Sequence, residues 1–219
     1  MTGKLSVAFV AYDGMTLLDL VGPYEILTLW PDISASVVAE HPGPVVPDSR
    51  AMPILAQASF AETLAPDIIV VPGGPTAEEA SRQRALHQWL AQAAPRATCV
   101  FSVCTGAFHL AEAGLLRGRR ATTHWAMLDQ LERFGAQARV ARWVDDGAIL
   151  TAAGVSAGLD AALYLTSRMQ GDALAKAIQL MIEYDPAPPF NAGSTISAGE
   201  DVVGTVGPLL APAMARRRT

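Results

Sequence analysis

Cysteine is nearly absent from this chain: two thiols, Cys99 and Cys104, stand in 219 residues. They flank one short apolar run, where a bridge between them is poorly placed, so each thiol is read as chemistry or as core filling and not as a staple. Positive charge is also scarce. Sixteen Lys and Arg against 21 Asp and Glu leave a net charge of −5 and a pI near 5.3, which provides no basic field for nucleic acid or an anionic membrane surface. The terminal Arg216-Arg217-Arg218 is too short to alter that balance. Long hydrophobic runs are missing too. The apolar stretch at residues 5–11 closes at Tyr12-Asp13-Gly14 without a small-residue cleavage site, so it reads as neither a signal peptide nor a membrane span. These absences point to a cytoplasmic protein without membrane or nucleic-acid partners. No spacing of His, Cys, Asp and Glu matches a metal site.

Apolar residues are plentiful, at 51% of the chain, enough to fill a core on both faces of a sheet. Periodicity predicts a strand at 5–11, a helix from Asp19 to Trp30 and a strand at 34–40. Residues 41–60, dense in Pro and turn formers, read as a hairpin or excursion, and a fully apolar strand at 67–71 runs into Pro72-Gly73-Gly74. A helix is expected over 76–93, with Leu86, Trp89 and Leu90 at helical spacing, then a β-branched run at 98–103 and a helix opening near Thr105. A short strand at 119–123, an amphipathic helix at 125–134 and a hairpin turning on Asp145-Asp146-Gly147 follow. Helices at 156–169 and 172–184 precede the irregular PAPPFNAGS. Strands and helices that alternate in this way, with continuous apolar strands, argue for a mostly parallel sheet covered on both faces.

In open sheets of this kind ligands bind beyond the carboxyl ends of the strands. Here three of those ends carry unusual residues: Asp19 after the first strand, Gly73-Gly74 after the strand at 67–71, and Cys104-Thr105-Gly106 after the strand at 98–103. A cysteine at a sharp strand-to-helix turn projects its sulfur into the crevice, and the N-terminus of the following helix favours thiolate. Cys99, inside the strand pattern, reads as core. Asp19 is either a helix N-cap or a carboxyl facing Cys104; in the second case desolvation and a neighbouring thiolate hold it protonated as a donor. The Gly74 N–H, with that of Thr105, could stabilise charge developing on a reactant. His124 could line the pocket or act as a base, and a core or capping role stands beside that. His109 reads as packing, and His41 and His87 as surface residues.

The segments LDLVGPYEIL, IIVVPGG, VFSVCTGAFHLAEAGLLRGRRATTHW and ILTAAGVSAGLDAALYL together resemble the DJ-1/PfpI superfamily, to about Ser194. Within it, Asp19, the Cys104 elbow and EYDPAPPFNAGS are similar to the isocyanide hydratases. The resemblance implies a flavodoxin-like three-layer α/β sandwich of the class I glutamine amidotransferase-like type over residues 1–195, with 196–219 as a weakly patterned tail. It also implies a homodimer and the hydration of a small-molecule isocyanide by water to an N-substituted formamide, with no cofactor and no metal. By the family's pattern Cys104 is the nucleophile and Asp19 its acid/base partner. Gly74 and Thr105 line the reacting centre, and Val155 occupies the loop leading into the helix behind the cysteine. The protease-like branch places His where Thr105 stands, which disfavours peptidase activity. TTHW also occurs in regulators that carry an appended helix-turn-helix domain, for which the 25 residues after Ser194 are too few. A glyoxalase-like activity on small carbonyls, or a non-enzymatic role as a cysteine redox sensor, stays open on fold alone.

Overall fold

A computed structural model of the chain describes residues 4–49, 52–74, 80 and 82–216. By internal contacts the chain divides into Met1–Ile178 and Gln179–Thr219. The first unit is built on a seven-stranded sheet. In chain order the strands are β1 (Leu5–Val10), β2 (Ile33–Ala39), β3 (Gly43–Val45), β4 (Ile54–Ala56), β5 (Ala58–Ser59), β6 (Ile68–Val71), β7 (Cys99–Val103), β8 (Arg120–Ala121), β9 (Gln137–Ala138), β10 (Trp143–Asp146) and β11 (Ile149–Ala152). The main sheet runs β10-β11-β7-β6-β1-β2-β5, parallel throughout except for the β10–β11 hairpin, while β3–β4 and β8–β9 form separate two-stranded pairs.

The helices are α1 (Leu17–Leu27), α2 (Arg84–Ala93), α3 (Gly106–Glu112), α4 (Ala157–Gln170), α5 (Asp172–Met181) and α6 (Thr195–Arg216), the last interrupted by non-helical backbone at Gly199. Every residue of β6 and β7 is buried, so the apolar runs that defined these strands lie at the centre of the core. Each large apolar side chain taken out of water there stabilises the fold by about 1.5–3 kcal/mol. Small residues set how closely the layers approach. A Cβ on Gly22 of α1 would meet Leu159 of α4 at 3.3 Å, and one on Gly158 would meet Val103 of β7 at 3.1 Å.

Three local expectations change. Of the helix expected over 76–93, Arg84–Ala93 is helical and so is Ala80, but the helix is broken between them, where Arg82 lies in a turn and Gln83 has a non-helical ψ of 58°; residues 75–79 and 81 lie outside those described. Residues 125–134 form a 3-10 helix. Asp145 and Asp146 belong to β10 itself, and the hairpin turns on Gly147, at φ 79°, and Ala148. Among the described residues no helix is long and apolar enough to cross a membrane.

Strand order fixes where a ligand crevice opens. From β1 the chain steps outward to β2 and β5, then returns to β6 on the other side of β1. The β1/β6 boundary is therefore the topological switch point, where loops diverge and leave a cleft at the carboxyl ends.

Candidate active site

Asp19 and Gly73 meet at that switch point. Asp19 is the third residue of α1, which follows β1, and Gly73 follows β6. The N-cap of α1 is Thr16, so Asp19 does not cap the helix; its backbone N–H donates to the Thr16 carbonyl. Its side chain is fully buried, and Oδ2 accepts a hydrogen bond from the Gly73 N–H at 3.0 Å. The adjacent Gly74 N–H donates to Thr105 Oγ1 at 2.8 Å. Thr105 thus stands against the N–H that the sequence reading aims at a reactant.

The glycines are required by space. A Cβ on Gly73 would stand 2.6 Å from the Thr105 nitrogen and 2.9 Å from Asp19 Oδ2. On Gly106 it would stand 2.3 Å from the Val71 carbonyl oxygen, so the N-terminus of α3 approaches the end of β6 only without a side chain there.

Cys104 links β7 to α3 with φ of +57°, a left-handed conformation that costs a non-glycine residue about 1–3 kcal/mol and persists only where surroundings impose it. The surroundings are specific. The Cys104 N–H donates to the Ala153 and Ala152 carbonyls at 2.8 and 3.1 Å, and its own carbonyl accepts from the Thr123 hydroxyl at 2.8 Å. The strand-end elbow expected from the sequence is therefore present. Its sulfur receives hydrogen bonds from the Thr105 N–H, the Val155 N–H and the Thr105 side chain.

The thiol differs from expectation in its acidity. Burial, with only 7% of Cys104 exposed, is the largest influence, and the Asp19 charge is the second; together they outweigh the hydrogen bonds and push the thiol up to about 12. A helix N-terminus alone would favour thiolate, but this one lies in a dry site beside a carboxylate. Cys104 and Asp19 are thus electrostatically coupled. Cys99 is buried in β7, and burial is likewise the main influence holding its thiol up at about 11 while Arg168 pulls it down, consistent with core filling.

His124 precedes the 3-10 helix as its N-cap. Its Nδ1 accepts from the Ala126 N–H at 3.3 Å, and a Cβ on Gly154 would touch its ring at 3.0 Å. Its side chain thus packs on the loop that carries Val155. Burial lowers its pKa.

Sequence reasoning missed a second histidine contact. His87, expected at the surface, is half-buried on α2, with Nε2 3.1 Å from Nδ1 of the fully buried His109 on α3. Burial, reinforced by His87, holds His109 down at about 3. The His109 ring also packs edge-on against Tyr12, whose hydroxyl donates to the Pro72 carbonyl at 2.8 Å, immediately before the Gly73 turn.

A cavity of about 310 Å³ opens at the ends of β1 and β2, lined by Tyr12, Glu40, His41, Phe60 and Leu86 among others. None of Cys104, Asp19 and Thr105 lines it. Among the described residues no group of three or more His, Cys, Asp and Glu is placed to hold a metal.

Residues 5–168 match the DJ-1/PfpI family model. An isonitrile hydratase from Pseudomonas putida is 37% identical over 213 residues, spanning 97% of this chain and 93% of that protein. The HTH-type transcriptional regulator CdhR of Pseudomonas aeruginosa is 39% identical over 93 residues, but these are 42% of this chain and only 28% of the regulator. Among solved structures, a ThiJ/PfpI family protein from Pseudomonas syringae superposes with a TM-score of 0.91 at 35% identity, covering 98% of this chain and 89% of that one. With a strained cysteine elbow at the switch point of a parallel sheet and a family match over most of its length, the chain belongs to the DJ-1/PfpI family.

Proposed function

We propose that the protein hydrates isocyanides to N-substituted formamides through a covalent intermediate on Cys104, with Asp19 as general acid and base. The observation that carries this is the fully buried Asp19 carboxyl, coupled in charge to the Cys104 sulfur and held by the Gly73 N–H. Support comes also from the 37% identity to a protein named isonitrile hydratase over nearly the whole chain.

Cys104 and Asp19 hold one proton between them. It rests on sulfur and moves to the carboxylate as the thiolate forms. The sulfur attacks the terminal carbon of R–N≡C, forming a C–S bond, and Asp19 delivers its proton to that carbon to give the thioimidate R–N=CH–S–Cys104. Water then yields a proton to the Asp19 carboxylate as its oxygen adds to the same carbon. That proton passes to nitrogen. The hydroxyl proton returns to Asp19 as the C–S bond breaks, releasing R–NH–CHO and restoring the starting pair. No electrons are gained or lost, so the chemistry calls for no redox cofactor. The two backbone N–H groups on sulfur favour the thiolate at attack and again at departure. The protein acts in this account as a cytoplasmic homodimer on a small molecule and water.

Purified protein incubated with an aryl isocyanide and, separately, with methylglyoxal tests this directly. Formamide without lactate is the expected result. Lactate without formamide would assign the site to small carbonyls instead. Neither product, with stoichiometric oxidation of Cys104 by mild peroxide, would make the protein a sensor.

A further inference from the structure

The Val155 N–H reaches the Cys104 sulfur from a turn that the sheet itself does not hold. Gly154, Val155 and Ser156 lie between the end of β11 and the start of α4, and all three are partly or fully exposed. Arg142 grips both flanks of this turn. Its backbone carbonyl accepts from the Ala153 N–H at 2.9 Å. Its guanidinium donates from Nη2 to Ser156 Oγ at 3.1 Å and from Nε to Asp160 Oδ2, one helical turn further on. Nε and Nη2 share one edge of a rigid plane, so the two bonds fix the first turn of α4 relative to the Arg142 main chain. A single residue thus brackets the turn that presents the Val155 N–H.

We propose that Arg142 is a positioning residue for the Cys104 thiol: by holding Ala153 with its main chain and Ser156 and Asp160 with its side chain, it keeps the Val155 N–H aimed at the sulfur. The inference rests on Cys104 as the reactive group and is independent of which substrate it attacks. Its contribution is geometric. The Arg142 and Asp160 side chains are 43% and 24% exposed, a setting in which ion pairs add little to stability and are screened by salt, so variants at Arg142 should fold.

The test is the rate at which iodoacetamide alkylates Cys104, read by mass spectrometry at mildly alkaline pH, with thermal melting of the same samples. A hydrogen bond to sulfur lowers the thiol pKa, and a tenfold change in thiolate fraction accompanies each pKa unit. Arg142→Ala is expected to slow alkylation by about tenfold and to shift the pH profile upward. Arg142→Lys keeps the charge but loses the fork and should shift in the same direction. Ser156→Ala keeps both the charge and the Asp160 pair and should show a smaller shift of the same sign. An Arg142→Ala profile that superposes on wild type overturns the proposal, whatever the melting temperature does. So does an Arg142→Lys profile identical to wild type beside a shifted Arg142→Ala, since the cation's field alone would then account for the effect. Should Arg142→Ala fail to fold, Arg142→Lys and Ser156→Ala decide: shifted profiles uphold the clamp, and unshifted ones remove it.

Discussion

The Gly73 N–H donates to Asp19 Oδ2 at 3.0 Å across 54 residues of sequence, and the space between that glycine, Asp19 and Thr105 admits no side chain. Gly73→Ala therefore forces apart the Asp19 carboxyl and Thr105. Overpacking of this kind costs about 1–3 kcal/mol, so the variant should still unfold cooperatively in urea, at a lower midpoint. Displacing reacting groups by about an ångström is worth on the order of a hundredfold in rate. Formamide production should fall by that order, and near-normal production would mean that the Asp19–Thr105 spacing is not used.

The two thiols should separate cleanly. Cys104→Ser is expected to abolish turnover with an unchanged circular dichroism spectrum, because a serine hydroxyl does not ionise under two N–H donors in a dry site. Cys99→Ser should retain most of the activity. In the wild-type protein, alkylation of Cys104 should keep accelerating as pH rises through and beyond 9, since its pKa is held at about 12. A plateau near neutrality would contradict the burial and the Asp19 charge as the controlling influences.

Much of the fold was legible because the central strands are continuous apolar runs, and burial on both faces is what such runs are for. The elbow was legible for a related reason: Cys104 stands at the point where a period of two gives way to a helical one, followed by a glycine. The partners of these residues were not legible. That Asp19 accepts from Gly73, or that His87 meets His109, depends on how α1, α2 and α3 sit on the sheet. His87 lies at the margin of the stripe formed by Leu86, Trp89 and Leu90, where periodicity alone does not distinguish buried from exposed. The break ahead of α2 carries no sequence signal, because Gln83 interrupts the helix without a Gly or Pro to mark it. Thiol acidity was misjudged for the same cause: the helix N-terminus is local and visible, whereas desolvation and the Asp19 charge are tertiary. Arg142 carried no pattern at all, since its role lies in two partners on a different element.

Acid stability should depend on the buried histidine pair. Burial holds His109 down at about 3, well below the ordinary histidine value of 6.5, and lowers His87 as well. A group whose folded pKa is depressed contributes stability above its unfolded pKa that is lost as pH falls toward the folded one. For His109 the window runs from about 6.5 down to about 3, with a limiting slope of about 1.4 kcal/mol per pH unit. His109→Gln should flatten this limb in urea denaturation measured at pH values across that window. An unchanged limb would show that the pair does not govern acid unfolding.

The central claim is that Asp19 exchanges protons with the reactants while Cys104 supplies the bond, and Asp19→Asn tests both halves in one sample. Asn can still accept from the Gly73 N–H but cannot donate or take up a proton in the reaction. Formamide production should fall by roughly 10²–10⁴, while removal of the charge that raises the Cys104 pKa should leave alkylation of that thiol as fast as in wild type or faster. Formamide production near the wild-type rate, or equal loss of production and alkylation, would contradict the account.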